Sequence, residues 1–225
     1  MSPLSDQTWV VVPLYNEESV IGSVVRGLID TFPHVVCVDD GSTDGSAAAA
    51  EEAGAVVVQH PVNLGAGAAT RTGLDYALQD SRAQYFVTFD ADGQHQLADA
   101  VAMTERLAEG DLDILIGSRF LDDRTKPGAI KRVVLRTAVL FERLSTGIRL
   151  TDAHCGLRVL NRNAAEKIEI LQNRFAHATE LVSEIGRHDL RYAEHPVHVL
   201  YTDYSRSKGQ SVWNSVNVLS DLFVK

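Results

Sequence analysis

The chain has 225 residues, 45% of them hydrophobic and 23% charged, which is ordinary globular composition and enough for one sizeable core. Its net charge of −9 excludes general nucleic-acid binding, and no apolar run reaches the roughly 18 to 20 residues of a membrane span. Its two cysteines, Cys37 and Cys155, have no metal-ligand spacing and point to a reduced, cytoplasmic chain. Met1 to Thr8 is polar and Trp9 to Leu14 too short for a secretory core, so no leader is expected at the N-terminus.

Short apolar runs alternate with helical patterns from the start. Strands are predicted at 9–14, 34–39, 55–60, 84–90 and 112–117, each rich in Val, Ile or Phe. Between them, 17–31, 44–53, 65–79 and 97–109 read as helices. That alternation predicts βαβ units and a single open, mostly parallel, Rossmann-like sheet flanked by helices. Asn16 is placed to cap the first of these helices and Ser42 to Asp44 to cap the second. Beyond Gly117 the rhythm changes. A polar loop at 121–128 precedes an amphipathic helix at 130–145. A second polar loop at 152–158 leads into a short strand. A helix at 176–187 and a strand-like 191–201 follow. Residues 203–211 form a basic loop, and 212–225 an apolar-rich helix.

Chemistry gathers where strands end. The run Tyr85 to Phe89 leads into Asp90-Ala91-Asp92-Gly93-Gln94. Two carboxylates spaced i, i+2 at the C-terminal end of a strand, with an amide beside them, suit a hard divalent cation such as Mg²⁺ or Mn²⁺. Ligands of open α/β sheets bind at that edge, and such a cation commonly holds a diphosphate. Pro13 closes the first strand, and Tyr15 is placed to stack on a base, though the same residues also suit a plain turn. Asp39 and Asp40 end the second strand. Adjacent carboxylates repel and need a partner, which a ribose hydroxyl or base N–H would supply. The glycine-rich stretch from Asn63 to Gly73 opens a helix. Its spacing departs from the dinucleotide fingerprint and it follows the third strand, so close helix packing at Gly65 and Gly67 explains it better than NAD.

In order, these stretches carry a family resemblance. Pro13-x-Tyr15-Asn16-Glu17, Val38-Asp39-Asp40-Gly41-Ser42-x-Asp44-Gly45, Asn63-x-Gly65-x-Gly67 and Asp90-x-Asp92-Gly93-Gln94 are followed by Gly117-Ser118-Arg119 and Asp152-x-x-Cys155-Gly156-x-Arg158. The chain resembles the family 2 glycosyltransferases of GT-A fold, most of all their polyprenyl-phosphate, dolichol-phosphate mannosyltransferase-like branch. The resemblance spans nearly the whole chain. It implies a GT-A domain over 1–204, with a basic acceptor loop and amphipathic helix over 205–225.

It also implies roles. Pro13, Tyr15, Glu17 and Asp40 would line a nucleoside pocket, with Asp39 nearby. Asp90 would lie against the ribose or the metal, Asp92 and Gln94 would ligate the metal, and Arg119 would reach the phosphates. Arg132 and Arg136, four apart on one helix face, would take an acceptor phosphate between them. Lys208 matches the family's acceptor-loop position. The donor would be a nucleotide-diphosphate sugar of the GDP-mannose or UDP-glucose class. The reaction would be an inverting transfer of a hexose to polyprenyl phosphate, dolichyl or undecaprenyl, at the inner face of the membrane. A phosphate acceptor is already anionic and needs no strong base. With a sugar hydroxyl as acceptor, in polysaccharide synthesis, Asp152 would be the base. A non-catalytic nucleotide-sugar-binding scaffold is the reading from another class, and the intact Asp90-x-Asp92 and Arg119 speak against it. Val212, Val216, Leu219 and Phe223 share one face of the last helix. That face would pack on the core, or meet a membrane surface or a small membrane-protein partner.

Overall fold

The computed structural model describes residues 2–122, 146–173 and 177–200. A short helix α1 (Pro3–Asp6) leads into β1 (Thr8–Leu14), α2 (Glu18–Ile29), β2 (His34–Asp39), α3 (Ser46–Glu52), β3 (Val56–Gln59), α4 (Ala66–Ala77), β4 (Tyr85–Thr88), α5 (Leu97–Leu107) and β5 (Ile114–Ser118). Then come β6 (Arg158–Asn161), α6 (Arg162–Lys167), α7 (His177–Arg187) and β7 (Tyr192–Pro196). The predicted segments at 130–145, 203–211 and 212–225, with Arg132, Arg136 and Lys208, lie outside the described residues.

The seven strands form one sheet in the order β3-β2-β1-β4-β6-β5-β7. Every pairing is parallel except those of β6, which runs antiparallel to both β4 and β5. β1 sits inside the sheet, with Leu14 opposite Asp39 on one side and Val11 opposite Thr88 on the other. Its side chains alternate between two cores. Val10, Val12 and Leu14 pack with Ile21, Val25, Leu28 and Met103 of α2 and α5. Trp9 and Val11 pack with Ala69 and Leu74 of α4 and with Leu181 and Ile185 of α7. Cover on both faces explains why the strands read as unbroken apolar runs.

Element ends shift from expectation for local reasons. β4 stops at Thr88 rather than Asp90, although the Phe89 amide still donates to the Val11 carbonyl at 2.9 Å. Asn16 does not cap α2. It sits at φ 53°, and its side-chain oxygen instead accepts from the Thr43 amide at 2.9 Å. The close packing expected of Gly67 is present. Its amide donates to the Asn173 carbonyl at 2.9 Å, and a Cβ there would run into the Gln172 carbonyl and His177.

β7 pairs with β5 along its whole length, and an ion pair secures its start. Asp113 accepts from the Arg191 amide, Nε and Nη2, each at 2.9 Å, and from Asn161 Nδ2 at 3.0 Å. Hydrogen bonds from Arg191 hold the Asp113 carboxyl well below the usual carboxylate range. Asp113→Ala should therefore lower stability by about 2 kcal/mol at neutral pH, read from the denaturant midpoint. The group's folded pKa is depressed, so its contribution is full above an unfolded pKa of about 3.9. The gap between variant and parent should close as pH falls through the depressed value.

Candidate active site

The parallel strands release their loops along one edge, and the first loop is locked to the second. The Asn16 amide donates to Ser42 Oγ at 2.9 Å and the Glu17 amide to Ser46 Oγ at 2.7 Å. This turn holds Tyr15 half-exposed at the mouth of a cavity of about 380 Å³. Pro13, Leu14, Tyr15, Gly65, Ala66 and Ala69 line it, with Asp40 and Asn63 as its polar members. A mostly apolar cleft with a few polar groups is the usual form of a small-ligand site. Glu17 lies at the start of α2 beside this loop.

Asp39 and Asp40 diverge in use. Asp40 Oδ1 accepts from the Leu64 amide at 2.9 Å and Oδ2 from the Gly65 amide at 2.6 Å. His60 Nδ1 donates to the same Oδ1 at 2.7 Å, and His60 Nε2 meets Thr72 Oγ1 at 2.9 Å. Asp40 thus borders the cavity, and its oxygens hold the 63–65 loop in shape. Asp39 is also buried, and its Oδ1 has no hydrogen-bond partner. A buried carboxylate oxygen with no donor is costly, and a ligand N–H or O–H would relieve that cost.

Past β4 lie the two carboxylates of the acidic motif. Asp90 is 48% exposed at its side chain and accepts from His95 Nε2 at 2.8 Å. Gly156 presses on it from the other side, where a Cβ would collide with its carboxylate. Burial raises the Asp90 pKa, but the His95 and Arg158 charges outweigh it and the net shift is downward. Asp92 Oδ1 accepts from the Gln94 amide at 3.0 Å. Burial, then the Asp90 charge, push the Asp92 pKa up to about 6. Gln94 is buried and its side-chain Nε2 has no partner.

Among the described residues no three His, Cys, Asp or Glu side chains form a ready metal cage. Two neighbouring carboxylates and an amide do fit a hard cation that takes its remaining oxygens from a diphosphate and water. The raised Asp92 pKa reflects burial first and repulsion from Asp90 second, and a bound cation would offset both.

Arg119 and Asp152, 33 residues apart, form a buried bidentate pair. Arg119 Nε donates to Oδ2 at 2.5 Å and Nη2 to Oδ1 at 2.7 Å. The Arg119 and His154 amides donate to the same carboxylate at 3.2 and 3.3 Å. Burial alone would raise the Asp152 pKa, yet the guanidinium holds it below the usual range. Four donors occupy Asp152, which gives it the geometry of a clamp on Arg119 and not of a free base. Glu194, given no role by the sequence reading, accepts from the Thr151 and Asp152 amides at 2.8 and 3.0 Å and fixes that turn. Cys155 is buried, and burial pushes its thiol up to about 12, as suits a packing residue.

His95 and Gly156 also went unassigned in sequence, although Gly156 stands inside a motif quoted above and His95 directly follows one. His95 follows Gln94, and nothing in its neighbours signals that its ring turns back to Asp90.

The model of glycosyl transferase family 2 matches residues 9–169. The chain belongs to that family. A UDP-N-acetylglucosamine–dolichyl-phosphate N-acetylglucosaminyltransferase of Methanococcus voltae is 27% identical, over 91% of this chain and 90% of the relative. A polyprenol monophosphomannose synthase of Mycolicibacterium smegmatis is 31% identical, over 74% of this chain and 66% of the relative. Among solved structures, glucosyl-3-phosphoglycerate synthase of Mycobacterium tuberculosis, crystallised with Mn²⁺ and UDP-glucose, superposes with a TM-score of 0.68 at 20% identity. That superposition covers 95% of this chain and 78% of the synthase. This family 2 chain therefore has the GT-A fold.

Asp92 should titrate near pH 6 in the metal-free protein, by carboxyl carbon NMR. Asp90→Asn removes one of the three causes that raise this value, leaving burial and Glu17, so the midpoint should move down but stay above the ordinary 3.9. A midpoint left near 6 in that variant would show that Asp90 does not act on Asp92.

Proposed function

We propose that this family 2 chain is an inverting glycosyltransferase that moves a hexose from a nucleotide-diphosphate sugar to a polyprenyl phosphate. The observation that carries the reading is the set of uncommitted polar groups along one sheet edge: Asp39 Oδ1 and Gln94 Nε2, both buried and unpartnered, beside the half-exposed Asp90 and the raised Asp92. In this reading the nucleoside enters the cleft under Tyr15, and Asp39 takes its hydrogen bond. Asp40 and His60 keep the 63–65 loop open to receive it. Asp90, Asp92 and Gln94 hold Mg²⁺ or Mn²⁺. When bound, the cation neutralises the developing charge of the leaving diphosphate. Arg119, aimed by Asp152 and Glu194, supplies fixed positive charge on the phosphate side of the site.

The acceptor assignment rests on the two relatives named for transfer to dolichyl phosphate and to polyprenol, and on the state of Asp152. A sugar hydroxyl would need a general base, and Asp152 is the residue proposed for it. Its four donors and lowered pKa leave it poorly suited. A lipid phosphate, with pKa near 6 for its second proton, brings its own anionic oxygen. That oxygen attacks the anomeric carbon, and the bond from this carbon to the diphosphate breaks.

Among the described residues no helix is long and apolar enough to cross a membrane. We propose that the enzyme works at the cytoplasmic membrane surface, with Arg132, Arg136, Lys208 and residues 212–225, or a small membrane-protein partner, serving the acceptor.

The test is turnover of UDP-glucose, UDP-N-acetylglucosamine and GDP-mannose with Mn²⁺ or Mg²⁺, with and without undecaprenyl or dolichyl phosphate in vesicles. One donor should yield a solvent-extractable glycolipid only when lipid phosphate and metal are both present. Transfer to glycan hydroxyls that ignores lipid phosphate would overturn the acceptor. Nucleotide-sugar binding without turnover on any acceptor would favour a scaffold.

A further inference from the structure

We propose that His95 is a positioning residue for the donor site, holding the Asp90 carboxylate in the orientation that receives the metal–diphosphate; the inference rests on the donor-site reading above. The two side chains differ sharply in environment. His95 is 3% exposed at its side chain, whereas Asp90 is 48% exposed and lies at the end of the strand. A half-exposed aspartate is free to sample rotamers, and that freedom is lost only if something rigid holds it. His95 is rigid. Its ring meets Phe89 edge-on, with centroids 5.6 Å apart. The backbone just before it is pinned, since the Leu200 amide donates to the Gln94 carbonyl at 2.9 Å.

From this fixed ring, Nε2 donates to Asp90 Oδ2 at 2.8 Å. The opposite side of the carboxylate is closed by Gly156, which leaves no room for a Cβ. Asp90 is therefore gripped between an imidazole N–H and a bare backbone. A leucine would fill the space between Phe89 and Leu97 with no imidazole to desolvate. What the histidine adds is one directed, charge-assisted hydrogen bond to a carboxylate, the kind of outer-shell contact that orients metal ligands.

A cavity of about 220 Å³ borders the ring, lined by Ser23, Val24, Gly27, Phe89, Gly93 and Leu97 together with His95 itself. It gives a small heterocycle access to the space the side chain occupies, and so permits chemical rescue.

The experiment measures Mn²⁺ affinity by the free-ion EPR signal, with UDP and in parallel with GDP, for the unsubstituted chain, His95→Ala and His95→Gln. Thermal midpoints check folding. His95→Ala should weaken Mn²⁺ binding about ten- to a hundred-fold. Imidazole in the buffer should restore much of that loss in His95→Ala and change nothing in the unsubstituted chain. His95→Gln, which keeps an N–H donor, should fall between the two. Unchanged affinity in folded His95→Ala overturns the proposal. So does an equal loss in both variants that imidazole leaves untouched, since that marks mere packing. If His95→Ala does not fold, His95→Phe, which keeps a ring but no N–H donor, takes its place: an affinity about tenfold or more below that of His95→Gln supports the role, and equal affinity in the two overturns it. A parent chain that binds no Mn²⁺ with either nucleotide would overturn the donor-site reading itself, a separate and recognisable outcome.

Discussion

Parallel pairing of β1 with β2 on one side and β4 on the other is the constraint on which the site depends. Parallel strands release their C-terminal ends along the same edge. Register fixes how closely: Leu14 lies opposite Asp39 and Val11 opposite Thr88, so the 13–17, 39–46 and 89–95 loops emerge side by side. Helices cover both faces of this sheet, and apolar side chains fill the strands. Polar groups are thus concentrated where the strands stop. A single antiparallel strand, β6, is inserted beside β4 and brings Gly156 and the Asp152 turn to that same edge.

Gathering carboxylates in one place has an electrostatic cost, and the protein offsets it unevenly. Asp40 is satisfied by two loop amides and His60. Asp152 has a bidentate arginine and two amides. Asp90 has His95. Asp39 keeps an unpartnered oxygen, and Asp92 is left with a pKa raised to about 6. Asp40 and Asp152, held by several donors each, set the shape of the cleft, whereas Asp39 and Asp92 are left with a burden that a ligand would relieve. This division follows from the cost of burying charge without a partner. It separates scaffold from binding group among residues of one chemical type.

The parallel half of the sheet was legible because strands buried on both faces carry a simple signal. His34–Asp39 was read to the residue. The placement of β6 was not, since four residues, Arg158 to Asn161, carry no local sign of their direction or of their slot between β4 and β5. Asp39, Asp40, Asp90 and Asp92 were recognisable as acids at strand ends. Which of them was already occupied was not, because the partners lie outside the strand ends: His60, Leu64 and Gly65 for Asp40, and His95 for Asp90. Asn16 looked like a helix cap because its type favours caps. Its left-handed backbone and its bond to Thr43 belong to a loop-to-loop contact that no local window contains.

The central claim is that this edge of the sheet holds a nucleoside diphosphate through a divalent cation. An anomalous difference map from a crystal grown with Mn²⁺ and the nucleoside diphosphate the chain binds would test it most directly. The account predicts one strong peak in coordination distance of the Asp92 carboxylate, against Asp90 and Gln94, with the nucleoside in the cleft under Tyr15. A nucleotide bound there with no metal at Asp92, or a metal and nucleotide bound together away from this edge, would contradict it.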